Sequence, residues 1–217
     1  MFADPQIIIN TDGEAIYYPL VFDGAEAQNL LQELLQNIEW QHDQVIMFGK
    51  QITTKRKVAW YAGAGISYTY AGKTKDPLPW TPFLLSIKEK VEKQTGATYN
   101  ACLLNLYHAG DEGMSWHRDN EKEIVPESSI ASVSFGAPRK FAFKHAVTAQ
   151  KIELLLEPGS VLDMRGPIQQ HWYHALPPSK KVKDLRVNLT FRLLIKSQHL
   201  SLHALLLVLY LNYKYLL

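Results

Sequence analysis

The sequence has little of what secreted, disulfide-held or membrane-anchored proteins require. Its 217 residues include one cysteine, Cys102, which excludes an internal disulfide and a cysteine-rich zinc site. The first residues lack the basic start and apolar run of a signal peptide, so nothing there indicates export. The single cysteine makes an intracellular, reducing location the expectation. The net charge is only +2 and says little about charged partners. A hydrophobic content of 47% is ordinary for one globular domain.

Long hydrophobic runs are also missing, even from the Leu-rich end of the chain. The uninterrupted apolar run there covers residues 204–211, whereas a membrane-spanning helix needs roughly 20 residues. We therefore expect no stable membrane insertion. Three alternatives fit the composition of residues 197–217: a helix that covers the core or an interface, a membrane-associated end, and a non-native or poorly ordered end. The role of this tail therefore stays open.

Helical periodicity is confined to two segments. Leucines recur at helical spacing in residues 25–39, after Asp23 as the N-cap, and residues 82–94 form a second amphipathic segment that ends before Gly96. Short strands are predicted at residues 45–49, 66–70, 102–107, 130–135, 140–143, 152–156, 160–164 and 186–194. The pattern predicts an α+β fold that is mainly β, an antiparallel sandwich or barrel with N-terminal helical buttresses.

His117-Arg-Asp119 brings a histidine and a carboxylate within two residues of each other. If the segment is a strand, both side chains leave the same face. His171 and His174 both offer a third ligand, and spacing alone does not choose between them. Two histidines and one aspartate form the facial triad of non-heme Fe(II) oxygenases, which leaves coordination positions open. A zinc hydrolase would use the same residue types.

A second signal is the alternation in Arg186-Val-Asn188-Leu-Thr190-Phe-Arg192. Read as a strand, its polar side chains share one face and its apolar side chains share the other. The same alternation occurs at Asn105 and Tyr107. Two strands with polar faces indicate a polar, water-accessible site inside a barrel. An arginine on such a face is placed to bind a carboxylate. A small dicarboxylate is then the expected co-substrate of an iron, whereas a zinc hydrolase leaves the paired arginines unexplained.

In this order, and with the run Ser129–Gly136, these motifs resemble the AlkB family of Fe(II)/2-oxoglutarate dioxygenases over roughly residues 13–194. The resemblance implies a double-stranded β-helix, or jelly-roll, in a domain of residues 1–196. It implies that His117, Asp119 and His174 bind Fe(II), with His171 as a neighbour of the site. The implied contacts to 2-oxoglutarate are Asn105, Tyr107, Arg186, Asn188 and Arg192.

Within the family, the chain is most similar to the branch that repairs double-stranded DNA, through Met47-Phe48-Gly49-Lys50 and residues 117–121. The activity implied is oxidative demethylation of N-alkylated bases such as 1-methyladenine and 3-methylcytosine. The reaction requires Fe(II) as cofactor and consumes O2 and 2-oxoglutarate. It releases formaldehyde, succinate and CO2. Two alternatives remain: the same chemistry on single-stranded DNA or RNA, and a catalytically silent protein that binds damaged bases.

The resemblance also implies a nucleotide-recognition lid at about residues 40–75. Phe48 matches the finger that fills the gap left by a flipped base. Arg56 belongs to residues 50–58, a basic stretch suited to phosphate contacts. A buried strand position is the ordinary alternative for Phe48.

The base itself would be held by aromatic faces and a carboxylate. By family position, Tyr70 and the ring of His117 stack on the base, and Glu121 faces its exocyclic amine. A core tyrosine and a solvated glutamate are the ordinary alternatives for Tyr70 and Glu121. We expect a monomer that binds nucleic acid, preferably alkylated double-stranded DNA, in the nucleus if eukaryotic and in the cytoplasm if bacterial.

Overall fold

The computed structural model describes residues 4–47, 50–66, 68–70, 73–75 and 77–196. Most of this chain is β-strand, in line with the predicted α+β, mainly β class. The strands are β1 (Gln6–Ile9), β2 (Glu14–Tyr18), β3 (Gln41–Met47), β4 (Lys50–Ala62), β5 (Tyr68–Tyr70), β6 (Lys73–Lys75), β7 (Ala101–Tyr107), β8 (Met114–His117), β9 (Ile130–Gly136), β10 (Arg139–His145), β11 (Lys151–Leu156), β12 (Val161–Arg165), β13 (Trp172–Leu176) and β14 (Arg186–Arg192).

Both predicted helices form, with the expected caps. Helix α1 (Gly24–Asn37) starts after Asp23, whose carboxylate accepts the N–H of Glu26 at 2.8 Å. Helix α2 (Pro82–Thr95) ends at Gly96, which adopts the left-handed conformation at φ 70°. A short third helix, α3 (Ile168–His171), has no periodicity long enough to be predicted.

The main sheet has eight strands in the order β1-β2-β12-β9-β14-β7-β4-β3, and a smaller sheet has the order β11-β10-β13-β8. All pairings within both sheets are antiparallel, with β5 and β6 forming a separate pair. The two antiparallel sheets form the double-stranded β-helix, or jelly-roll, that was predicted.

Two hydrophobic clusters arrange these elements in layers. Leu34 of α1 and Ile87 of α2 pack with Phe191 of β14 on the outer face of the main sheet. On its inner face, Leu162 of the main sheet packs with Phe143 of the smaller sheet. The helices therefore buttress one face of the main sheet, as predicted, and its other face is free to build a site against the smaller sheet.

Strand alternation assigns the residues of β14 to these two layers. Val187, Leu189 and Phe191 join the helix-side cluster. Arg186 and Arg192, at alternate positions, point toward the smaller sheet, where they line a cavity. The predicted polar-faced strand is therefore confirmed.

One prediction about the HxD motif is wrong. Strand β8 ends at His117, and Asp119 lies in the following loop, so the two side chains do not share a strand face. The backbone N–H of Asp119 bonds instead to the side chain of Gln169, 50 residues away. Because this hydrogen bond joins residues far apart in the chain, local spacing does not report the position of Asp119.

Two predicted regions fall partly or wholly outside the described residues. Phe48 and the tail, residues 197–217, are not described, and Met47 pairs with Lys50 across the β3–β4 connection. Strand β4 also pairs with β7, so the base of the predicted lid continues the main sheet. Over the described part of the chain, none of the helices has the length and apolar character needed to cross a bilayer.

Candidate active site

A cavity of about 210 Å³ lies between the two sheets. The polar face of β14 forms one wall, and the register of β14 on β7 sets Arg186 opposite Tyr107 and Asn188 opposite Asn105. The facing wall comes from the smaller sheet and the loop after β8. The residues that line it include Leu103, Asn105, Tyr107, Met114, Trp116, His117, Asp119, Glu121, Ser132, Phe141, Met164, His174, Arg186, Asn188, Thr190 and Arg192.

His117, Asp119 and His174 converge at this cavity. Strands β8 and β13 pair with His117 directly opposite His174, and the two rings lie 4.2 Å apart between centroids. One ligand atom from each of the three residues lies within 4.8 Å of the others, and Nε2 of His117 is 3.8 Å from Oδ1 of Asp119. This is the donor set of a facial triad, with two imidazoles and one carboxylate.

Hydrogen bonds orient two of these groups. Nδ1 of His117 lies 2.8 Å from the carbonyl oxygen of Ser115 and donates to it, so Nε2 is the ring nitrogen available to a metal ion. Oδ2 of Asp119 accepts a 2.9 Å bond from Nη2 of Arg192. The backbone N–H of Asp119 donates to Oε1 of Gln169 at 3.0 Å. His117 and Asp119 are therefore oriented by the protein itself.

The protonation states also suit a metal. Burial lowers the pKa of His174 to about 3, although the charge of Asp119 works in the opposite direction. Burial tends to raise the pKa of Asp119, but Arg192 and the two histidines outweigh it and hold that pKa at about 2. At neutral pH His174 is neutral and Asp119 is ionised, which are the forms that bind metal ions.

Arg186 is a buried cation at the opposite end of the cavity. Its Nη2 donates to Oγ of Ser134 at 2.9 Å, and within the described residues its Nε has no hydrogen-bond partner and no carboxylate pairs with it. Burial lowers its pKa to about 10, so it is charged at neutral pH. A buried guanidinium without a carboxylate is costly, and an incoming carboxylate relieves that cost. The residues present therefore fit the dicarboxylate 2-oxoglutarate.

Asn105 and Asn188 face the same cavity but differ in their hydrogen bonding. Nδ2 of Asn188 donates to Oγ of Ser132 at 2.8 Å and to the carbonyl of Val133 at 2.9 Å, and Thr190 donates to its Oδ1 at 3.1 Å. Asn188 is thus fixed by its neighbours. Oδ1 of Asn105 is buried without a partner among the described residues, so it remains available to a ligand.

The predicted base and DNA contacts are brought together only in part. Glu121 lines the cavity with the triad. Tyr70 lies in β5, but its side chain is not described, and Phe48 is outside the described residues. Arg56 is 7% exposed, pairs with Asp43 and reaches Sδ of Met114 at 3.5 Å. Arg56 therefore points inward from the predicted lid.

The structure separates the two histidines that spacing could not distinguish. His174 lies with His117 and Asp119, whereas His171 groups with Asp12 and His145. The His171 and His145 rings are parallel, with centroids 6.2 Å apart. His171 is a near neighbour of the site in sequence and belongs to a different cluster.

Residues that support the site were not identified from the sequence. Ser132 and Ser134 alternate in β9 with Val133 and Phe135. This alternation predicts a polar face, but it points to the site only once the strand is known to lie against it. Gln169 gave no signal, because it lies in a four-residue helix distant in sequence from the aspartate that it holds.

Comparisons with known proteins agree with this geometry. Residues 14–192 match the model of the 2OG-Fe(II) oxygenase superfamily. The DNA oxidative demethylase ALKBH2 of Mus musculus is 40% identical over 201 residues, covering 88% of this chain and 84% of the relative. Its namesake from Homo sapiens is 43% identical over 195 residues, covering 85% and 75%.

More distant matches extend the comparison. The alpha-ketoglutarate-dependent dioxygenase alkB homolog 3 of Homo sapiens is 34% identical over 185 residues, covering 81% of this chain and 64% of the relative. The solved structure of OsALKBH1 superposes with a TM-score of 0.59 at 14% identity, covering 87% of this chain and 100% of that one, and supports the fold. The chain belongs to the 2OG-Fe(II) oxygenase superfamily and, within it, to the AlkB family of dioxygenases that use Fe(II), O2 and 2-oxoglutarate.

Proposed function

We propose that this dioxygenase repairs DNA by removing N-methyl groups from alkylated bases, with 1-methyladenine and 3-methylcytosine as substrates. The observation that carries the proposal is the convergence of His117, Asp119 and His174 with Arg186 on one cavity. Relatives at 40–43% identity that are named DNA oxidative demethylases support the choice of substrate.

Separate sets of residues in this chain would bind the metal and the co-substrate. His117, Asp119 and His174 would hold Fe(II), and Arg186 would pair with the far carboxylate of 2-oxoglutarate. Asn105 and Tyr107 line the same wall and would complete the co-substrate site together with Asn188 and Arg192. When bound, iron and 2-oxoglutarate supply the oxidation of the methyl group, whose carbon leaves as formaldehyde. The protein supplies position and charge.

The proposed substrate is matched to the charges around the cavity. A base methylated at its pairing edge is cationic and pairs badly, so it costs less to flip out of the stack. Glu121 lines the cavity beside the triad and would face the exocyclic amine of such a base. His117 and Tyr70 would supply aromatic faces, and Phe48 would fill the gap in the duplex.

Double-stranded DNA is the proposed preferred substrate, and the protein would act on it as a monomer. Lys55 has a side chain that is 80% exposed on β4, next to the buried Arg56, and it lies 3.6 Å from the exposed Asp111. A phosphate would take the place of Asp111 as the partner of this ammonium group. Such an enzyme works where the DNA is, in a nucleus or in a bacterial cytoplasm.

The test is methyl loss from matched oligonucleotides. One strand carrying a single 1-methyladenine is supplied alone or annealed to its complement, with Fe(II), 2-oxoglutarate and ascorbate, and the product mass is followed. We expect demethylation of both, with higher kcat/KM on the duplex. Consumption of 2-oxoglutarate with the methyl retained on both would overturn the proposed substrate. Faster turnover of the single strand would overturn the duplex preference.

A further inference from the structure

Trp116 is a large aromatic side chain at the mouth of the active-site cavity, and it is 43% exposed. It directly precedes His117 in β8, and the roles described above do not use it. Isolated apolar side chains on a surface are common. An indole that lines a catalytic cavity while remaining open to solvent is different, because aromatic surface at such a place is available to whatever enters the site.

The surroundings of Trp116 point to a nucleic acid strand. In the described part of the chain, β8 is the outer strand of the smaller sheet and pairs with β13 alone. Met114, two residues before Trp116 on the same strand face, contacts Arg56 of β4. Lys55, the neighbour of Arg56, has an exposed side chain whose Nζ lies 3.6 Å from Oδ2 of the exposed Asp111. Single-stranded nucleic acid is bound by aromatic side chains combined with positive charge, and the contact of Met114 with Arg56 brings the strand of Trp116 to the strand of Lys55.

We propose that Trp116 is a stacking platform for an unpaired base that flanks the methylated base on the substrate strand. The inference rests on the proposed function, because it requires a base to enter the cavity beside His117. Every nucleobase has a π-face, so an indole accepts any flanking base.

The pairing state of the flanking base decides how much Trp116 contributes. In a duplex, the neighbour of a flipped base stays paired and stacked within the helix, so little is gained by moving it onto the indole. In a single strand, that neighbour has no such partner and is free to stack. Trp116 is thus a specificity-determining residue that favours substrates with unpaired flanks and lets the enzyme act on single strands as well as duplexes.

The experiment compares three variants on the two oligonucleotides used above. Trp116→Ala removes the platform and Trp116→Phe retains an aromatic face. Leu155→Ala is the matched control, because Leu155 is 50% exposed on β11, the other edge strand of the same sheet. Affinities are measured with Fe(II) and 2-oxoglutarate in the absence of oxygen, and KM and kcat are measured under turnover. Thermal unfolding checks that each variant is folded.

We expect Trp116→Ala to weaken single-strand binding by about five-fold or more, the lower end of base–aromatic stacking. Its KM for the single strand should rise more than its kcat falls, the duplex should be less affected, and Trp116→Phe should restore most of the affinity. The control should match the wild type.

Two results for the variants would overturn the inference. One is unchanged single-strand binding by Trp116→Ala. The other is an equal loss for both oligonucleotides, which would mean that Trp116 only shapes the cavity. Failure of the proposed function looks different: the wild type then binds the oligonucleotides but leaves the methyl in place, and the binding comparison still decides whether Trp116 stacks. A wild type that binds neither oligonucleotide overturns both proposals.

Discussion

Nη2 of Arg192 donates to Oδ2 of Asp119 at 2.9 Å, and both side chains are buried. The bond joins the central strand β14 to the loop after β8, across 73 residues of sequence. It holds the carboxylate ionised and leaves Oδ1 facing Nε2 of His117. Arg192 therefore acts on the metal site through Asp119, besides its proposed contact to 2-oxoglutarate.

Loss of Arg192 should destabilise the protein even without a metal. Arg192→Met leaves the Asp119 carboxylate buried without this cation, and breaking a buried pair costs about 3–5 kcal/mol. We expect a fall of that size in the free energy of unfolding, measured by urea denaturation of chelator-treated protein. The same substitution in an Asp119→Asn background should cost less. Equal costs in both backgrounds would show that the two residues are not coupled.

Gln169 should matter for metal affinity although it is not a ligand. Gln169→Leu removes the acceptor for the backbone N–H of Asp119, and loss of such outer contacts weakens metal binding by about 10- to 100-fold. Calorimetric titration with Mn(II) measures this. Gln170→Ala is the control, because Arg118 bonds to the backbone carbonyl of Gln170, which the substitution keeps. Similar affinities for the two variants would refute this role of Gln169.

Arg186 should control the affinity for 2-oxoglutarate. Arg186→Met removes the buried guanidinium that awaits a carboxylate, and a hydrogen bond to a charged group is worth about 1.5–3 kcal/mol, so KM for 2-oxoglutarate should rise by about 10- to 100-fold. Ser134→Ala removes only the contact that positions Arg186 and should give a smaller rise. A KM that stays at the wild-type value in Arg186→Met would place the co-substrate elsewhere.

The stability of the metal-free protein should fall as the pH is lowered through the range in which free histidine titrates. Folding lowers the pKa of His174 from 6.5 to about 3, so between these values the unfolded chain binds a proton that the native state excludes. Stability is therefore lost as the pH falls, by up to about 1.4 kcal/mol per pH unit.

A comparison with His174→Asn isolates this contribution. Asp119 contributes to the loss of stability only when the pH falls below 3.8, the ordinary pKa of an aspartate, because folding lowers its pKa to about 2. Urea denaturation between about pH 6 and pH 5 should thus give a steeper dependence for the wild type than for the variant, by about one proton. Parallel dependences would mean that His174 is protonated in the native state.

Lys55 and Arg56 should differ although they are adjacent basic residues. Lys55→Ala should weaken duplex binding and reduce the salt dependence of affinity by at most about one counterion, because its side chain is exposed and its ammonium group lies 3.6 Å from Asp111. Arg56→Met should instead lower the melting temperature, because Arg56 is buried and paired with Asp43. Filter binding at several salt concentrations and thermal unfolding separate the two. A folded, stable Arg56→Met variant with a reduced salt slope would assign Arg56 to phosphates.

The sequence was informative where one element carries its own periodicity. The residues of β14 alternate strictly, so the face of each was predictable, and α1 and α2 carry both a hydrophobic stripe and caps. The long strand β4 and the four-residue β8 have no such pattern. Their positions depend on pairing with β7 and β13, which local sequence does not encode.

The site shows the same division. The residue types at His117, Asp119 and Arg186 indicate metal binding and carboxylate binding from the sequence alone. Which of His171 and His174 joins the metal site depends on the register of β13 on β8, which sets His174 opposite His117. The support that Gln169 gives to Asp119 depends on a contact across 50 residues. The sequence thus predicted which residues bind the metal and the co-substrate, but not the long-range contacts that position them.

The most direct test of the account counts two products of one reaction. A duplex oligonucleotide with one 1-methyladenine is incubated with Fe(II), O2 and 2-oxoglutarate, and the methyl groups lost and succinate formed are measured together for the wild type and for His174→Ala. We expect equal amounts of both products for the wild type and neither product for the variant. Succinate without methyl loss in the wild type, or methyl loss that persists in His174→Ala, would contradict it.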